Sequence, residues 1–190
     1  RNGDQTASTD PIMPKLASNA TAVAVLDTGV ATNIGLERYI LAGLDAVNPL
    51  KELSDTRGHG TQMSLLSSGA VTPAGISSSG ADAAAIIPIR TFDDQGLATS
   101  FTFLRAVDFA VVNGARVFSM SWTSEENSGF ISDTLAAAQA RGIICVAAAG
   151  NEPTGKTMYP AALPEVLAVS AVDANNNVWS QSNYGEWVDL

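Results

Sequence analysis

Short apolar runs alternate along this chain with stretches whose apolar positions recur at helical spacing. AVAVLD, Ala22 to Asp27, is rich in β-branched side chains and ends in Asp-Thr-Gly, the pattern of a buried strand closed by a turn. AAAIIPIRTF from Ala83 to Phe92, RVFSMSW from Arg116 to Trp122, IICVAAAG from Ile143 to Gly150 and EVLAVSAVD from Glu165 to Asp173 read the same way. Pro88 counts against the second of these strands, because proline removes a ladder donor. Met63, Leu65 and Leu66 follow Gly-His-Gly-Thr and predict a helix starting near Thr61. Thr99 can cap a second helix, with Phe103, Val107, Ala110 and Val111 on one face, Arg105 and Asp108 on another, and Asn113-Gly114 closing it. Ile131, Leu135 and Ala138 mark a third helix, ended by Arg141-Gly142. Residues 1–20, with Pro11 and Pro14, read as a surface arm, and residues 71–82 read as a loop.

Strands alternating with helices of this length predict an α/β fold. The expected architecture is a doubly wound, mostly parallel sheet with helices on both faces, one domain over residues 1–190. Ligands of open α/β sheets bind beyond the carboxyl ends of the strands. That rule points at Asp27, at Ser119 to Thr123 and at Gly150-Asn151, each closing an apolar run.

Composition narrows the function classes. With 190 residues and 46% hydrophobic side chains, the chain can bury a core without disulfides or metals. A net charge of −9 argues against nucleic acid, which demands clustered Lys and Arg. The single cysteine, Cys145, excludes an internal disulfide and any thiolate metal cluster. It lies in an apolar run with no Lys, Arg or His between Gly142 and Asn151, so it reads as a small buried hydrophobe and not as a nucleophile. No apolar run reaches the roughly 18 residues of a membrane span. The chain opens on Arg1, without a signal-peptide pattern, and is expected to be a processed product or an excised piece.

His59 is the only histidine, set between two glycines at a helix start. A general base in acyl transfer needs an imidazole, and the imidazole needs a carboxylate to hold its tautomer. Asp27 at a strand end and His59 at a helix start can meet above one sheet edge. On its own the pair is open to a plainer reading, a polar histidine in a turn with Asp27 as a cap.

AVAVLDTGV, RGHGT, FSMSW, VAAAGNEP and YPAALPEVLAVSAVD occur in this order. Together they resemble the subtilisin-like serine protease family, from about Ala22 to Leu190. The resemblance implies that Asp27 is the triad aspartate, His59 the general base and Asn151 the side-chain donor of the oxyanion hole. An amide NH2 can donate to the charge that develops on a scissile carbonyl. It further implies that Ser121, Trp122 and Thr123 form one wall of the pocket for the residue before the cut. Ala148, Ala149 and Gly150 would form the other, and Gly96, Leu97 and Ala98 the edge that pairs with an extended substrate.

The sequence also departs from the family. The family nucleophile is a serine in a Gly-Thr-Ser motif at a helix start, and no Gly-Thr-Ser occurs in these 190 residues. The fold is therefore expected to be incomplete at the C-terminus, with the serine supplied by a C-terminal segment or a second chain. Ser64 and Leu65 replace the small pair that usually follows the histidine motif, which implies repacking there. Thr123 stands where glycine is common at the pocket rim, so small or medium side chains are expected at the cut. The stretch GAVTPAGISS offers no carboxylate or amide side chain, and Leu36 stands where a ligating Asp is common. The family's usual calcium site is therefore not expected, although the family leaves calcium open, and no other cofactor is expected. Glu125-Glu126 and Asp93-Asp94 read as solvated loop charges.

The expected function is thus serine endopeptidase action on protein or peptide substrates, in a secreted or periplasmic setting implied by the family. A second reading is a catalytically inactive relative kept as a scaffold or binding module. A third is an aspartic protease, since Asp27-Thr28-Gly29 is also that family's motif. The α/β pattern argues against it, and it leaves His59 and Asn151 idle.

Overall fold

The computed structural model describes residues 19–32, 34–71 and 83–190. The N-terminal arm up to residue 18, and the loop over 72–82 with most of the stretch compared to a calcium site, lie outside the described residues.

Six strands form one parallel sheet: β1 (Ala22–Asp27), β2 (Leu44–Asp45), β3 (Ala85–Arg90), β4 (Val117–Met120), β5 (Ile144–Ala148) and β6 (Val166–Val169), in the order β2-β3-β1-β4-β5-β6. Three helices accompany it: α1 (His59–Ser68), α2 (Ser100–Val112) and α3 (Gly129–Gln139). All five expected strands are present, β1 with the expected bounds and the other four trimmed to their paired cores. The two-residue β2 and a 3-10 turn at Glu37–Tyr39 have too little apolar pattern to read from sequence.

Pro88 sits inside the sheet at no cost to the ladder. The carbonyls of Ile86 and Arg90 both point toward the β2 side, accepting from the N–H groups of Leu41 and Ala46. Residue 88 shares that direction, so its missing donor falls in the gap between Leu41 and β2.

Alternation along the strands sorts the core into two layers. Ala24, Leu26, Ile87, Ile89, Phe118, Cys145 and Ala168 pack with Phe103 and Ala106 of α2 and with Leu135 and Ala138 of α3. Val25 and Ile86 face the opposite way and meet Met63 and Leu65 of α1. α1 therefore lies on one face, and α2 and α3 on the other. Among the described elements, the helix on this face, α1, packs over β1 and β3. In register with Val25 the face continues through Ser119, Val146 and Leu167, and there Ile144 is 51% and Leu167 43% exposed.

α2 begins as its sequence predicts. The Thr99 hydroxyl accepts from the Thr102 N–H while the Thr102 hydroxyl accepts from the Thr99 N–H, a reciprocal cap. α1 starts two residues earlier than expected, at His59. Its buried face consists of Gly60, Thr61, Ser64 and Ser68, small and hydroxylated residues that leave no apolar period to follow.

Candidate active site

The chain winds outward from β1 in both directions, so the strand order reverses between β1 and β4. A crevice at the carboxyl ends of strands is expected at such a switch point. Asp27 ends β1, Ser121 to Thr123 follow β4, and the first turn of α1 brings in His59. Asp27, Thr28, Arg57, His59, Phe92, Gly96 and Ser121 to Thr123 line one common cavity.

Asp27 is 3% exposed, and its Oδ1 lies 2.7 Å from His59 Nδ1. The same oxygen accepts the Thr28 N–H at 2.7 Å. An ionised carboxylate only accepts, so the Nδ1 facing it carries the proton and Nε2 is left as the acceptor. The imidazole is 46% exposed, open to a reacting group from solvent.

Close approach of α1 to the end of β1 makes this contact possible, and Gly60 permits it. A Cβ at Gly60 would lie 2.4 Å from the Gly29 carbonyl oxygen and 2.8 Å from the Gly29 nitrogen. Ser64 is fully buried with an unpartnered hydroxyl, and Leu65 joins the smaller apolar cluster.

A second cavity adjoins the first through Ser121, Trp122 and Thr123, and its other wall is Ala148, Gly150 and Asn151. Asn151 is exposed, with no internal partner for its amide among the described residues. Gly150 has φ +107°, and a Cβ there would meet the Thr123 methyl at 3.6 Å and Met158 at 3.8 Å. Thr123 and Met158 thus both lie close to Gly150. The walls are tied together by reciprocal backbone bonds between Ser124 and Tyr159, and by a Lys156–Glu125 ion pair.

Not every expected residue comes to the cavities. Ala149 is fully buried and lines neither, although its neighbours do. Leu97 and Ala98 are exposed beside them. The Leu97 N–H donates to Asp93 Oδ1 and its carbonyl accepts from the Asp93 N–H. Its backbone is therefore committed internally, and the edge available for pairing narrows to Ala98 and the Gly96 carbonyl. Trp122 turns its ring inward, edge-on to Phe92 and Phe103 at 5.5 and 5.9 Å.

Of the four loop carboxylates at Asp93, Asp94, Glu125 and Glu126, three have partners in the protein as well as solvent. Asp94 accepts from Arg90 and Thr56, Asp93 holds the turn at Gln95 and Leu97, and Glu125 bridges to Lys156. Sequence reasoning missed Met158, Arg57 and two organisers, the buried Asn183 and the half-buried Asp55. Asn183 is 1% exposed; it donates to the carbonyls of Ala149 and Lys156 and accepts from the Gly155 N–H, fixing the loop behind Asn151. Asp55 binds the segment around His59. The Asp55-x-x-Gly58 spacing, suited to an Asx turn, was the available signal.

Among the described residues no three His, Cys, Asp or Glu side chains come together as metal ligands, and no helix is long and apolar enough to cross a membrane.

Comparison with known proteins agrees with this fold. The Subtilase family pattern matches residues 18–190. A thermophilic serine proteinase from Bacillus sp. (strain AK1) is 31% identical over 174 residues, 91% of this chain and 43% of the relative. Subtilisin Savinase from Lederbergia lenta is 30% identical over 175 residues, 92% of this chain and 64% of the relative. A crystal structure of a cold-adapted subtilisin-like serine proteinase superimposes with a TM-score of 0.73 at 24% identity, covering 88% of this chain and 60% of the other, a likeness of fold. The chain therefore spans 43–64% of the length of the two curated relatives.

Proposed function

We propose, from the premise that this chain belongs to the subtilase family, that it carries the base and oxyanion portions of a serine endopeptidase. The observation that carries the reading is the 2.7 Å contact between buried Asp27 and the Nδ1 of a solvent-facing His59. In this reading His59 Nε2 takes the proton of a serine as its oxygen attacks the scissile carbonyl. Asp27 holds the tautomer and stabilises the imidazolium. The exposed Asn151 amide donates to the oxyanion, the leaving amine takes the proton back from His59, and water hydrolyses the acyl-enzyme.

The serine comes from a segment outside these 190 residues, either a continuation of the chain or a second chain. The half of the sheet face that α1 leaves uncovered, running from Ser119 to Leu167 beside Asn151, supports this, since it offers an apolar seat for such a segment. The substrate is a protein or peptide whose extended backbone pairs with Ala98 and the Gly96 carbonyl on one side and Ser121 to Thr123 on the other. The residue before the cut enters between Thr123 and Met158, and its small or medium size follows from their approach to Gly150. A secreted or periplasmic setting accords with the family.

Fluorophosphonate labelling of the full-length protein, read by intact mass, tests the reading. An adduct is expected, and His59→Ala should slow its formation by roughly 10²–10⁴-fold. Folded full-length protein that never labels would overturn the reading in favour of a scaffold role.

A further inference from the structure

Asp55 lies in the loop before α1 and makes no contact with the cavity that His59 and Asp27 share. Its carboxylate nonetheless gathers five donors. Oδ1 accepts the Thr28 hydroxyl at 2.9 Å, the Arg57 N–H at 3.1 Å and the Gly58 N–H at 2.8 Å. Oδ2 accepts the Thr61 N–H at 2.8 Å and the Thr61 hydroxyl at 2.6 Å.

The two hydroxyls are relays. Each donates to Asp55, so each is oriented with its lone pairs turned away from the carboxylate. The Thr28 oxygen then accepts the N–H of Gly60, the residue after His59, at 2.9 Å. The Thr61 oxygen accepts the N–H of Ala31, in the turn after β1, at 2.9 Å. Thr28 itself follows Asp27 and donates its N–H to the Asp27 carboxylate. One carboxylate thus grips the chain on both sides of the imidazole and on the strand end that carries its partner.

We propose that Asp55 is a positioning residue that sets the His59–Asp27 geometry through Thr28, Gly58 and Thr61. The charge matters as well as the shape. An asparagine would turn its NH2 either toward the two donors from Thr61 or toward the three at the other oxygen, and donor would face donor. The relays would lose their fixed hydroxyl orientation, and the imidazole its defined height above Asp27. The meaning of this for turnover rests on the protease reading, whereas the geometry does not.

His59 is the sole histidine, so its ring resonances can be assigned without ambiguity. Nitrogen-15 NMR of the protein, recorded with the imidazole in its neutral form, reads the tautomer and the Nδ1 proton directly. The parent should show a single Nδ1–H tautomer with a far-downfield proton. Asp55→Asn should move that proton upfield and admit the Nε2–H tautomer, with helix content retained by circular dichroism. Asp173→Asn serves as the control, since that carboxylate holds only the turn at Asn175 and Asn177. A folded Asp55→Asn protein with an unchanged His59 signal would overturn the assignment.

Should Asp55→Asn not fold, Thr28→Val decides the matter. It cuts one relay and leaves the carboxylate in place, so a shifted His59 signal supports the proposal and an unshifted one ends it. In full-length protein the same Asp55→Asn change should lower kcat by about 10²-fold, the cost of a small misplacement, with KM nearly unchanged. Loss of the NMR signature in a protein that never labels with fluorophosphonate would keep the positioning role and discard the protease reading.

Discussion

Under the proposed function, Met158 and Thr123 are the two side chains that set the size of a subsite. Both lie close to Gly150, whose φ of +107° also disfavours any side chain there. Under the proposed function, Thr123→Gly with Met158→Ala should shift kcat/KM toward peptides with a large apolar residue before the cut by at least ~10-fold relative to alanine, as expected from released apolar space. A peptide-library profile that stays with small residues in the double variant would exclude this role. Asp55 carries a pH signature of its own. Burial pushes its pKa up, but hydrogen bonds from the Thr61 hydroxyl and N–H, the Gly58 N–H and the Thr28 hydroxyl outweigh burial and hold it below the ordinary carboxylate value of 3.8. Its stabilising effect is therefore complete above that value and lost as the pH falls through the lower, folded one. Asp27, His59 and Asn151 were legible in the sequence because each ends an apolar run or opens a helix in a recognisable order. Asp55 and Asn183 were not, because most of their partners are backbone amides and carbonyls, which any sequence supplies.

Among the elements, α1 departs furthest from what pattern alone can convey. β2 to β3 through α1, and β3 to β4 through α2, both step across the sheet in the same direction. Their helices nevertheless lie on opposite faces. The two crossovers therefore have opposite hands, and one of them is the rare left-handed kind. No periodicity encodes that choice; it is carried by small residues that let α1 sit tight against the strand end. Gly60→Ala should accordingly destabilise the fold by about 1–3 kcal/mol or more through overpacking, measured by urea unfolding. Thr99→Ala, which removes one half of the α2 cap, should cost about 1 kcal/mol. A Gly60→Ala protein as stable as the parent would mean that α1 can ride outward, and the His59 contact would then have to lengthen. Strands β1 and β3 to β6 were readable because each is a bounded apolar run, and α2 and α3 because each keeps one apolar face. β2 draws its place from pairing with β3 alone.

For the whole molecule, the layer of α2 and α3 supplies most of the core, and Cys145 lies within it at 1% exposure. Burial first, and the negative charge of Glu165 second, push its thiol up from 9.0 to about 11. The folded state keeps this proton at a pH where the unfolded chain loses it. The resulting stability is complete below about pH 9 and disappears as the pH rises toward about 11, an effect of up to roughly 2–3 kcal/mol. Urea midpoints recorded from pH 8 to 11 should fall more steeply for the parent than for Cys145→Ala, and parallel curves would contradict the shift. The same thiol has a kinetic consequence. It sits on a strand paired on both sides, and there is no second cysteine in the chain to compete for reagent. The rate at which a disulfide reagent consumes it is therefore a clock for the opening of the sheet's interior. A segment that settles onto the face over β4 to β6 that α1 leaves uncovered would register as a slowing of that clock, whether or not it brings a serine with it.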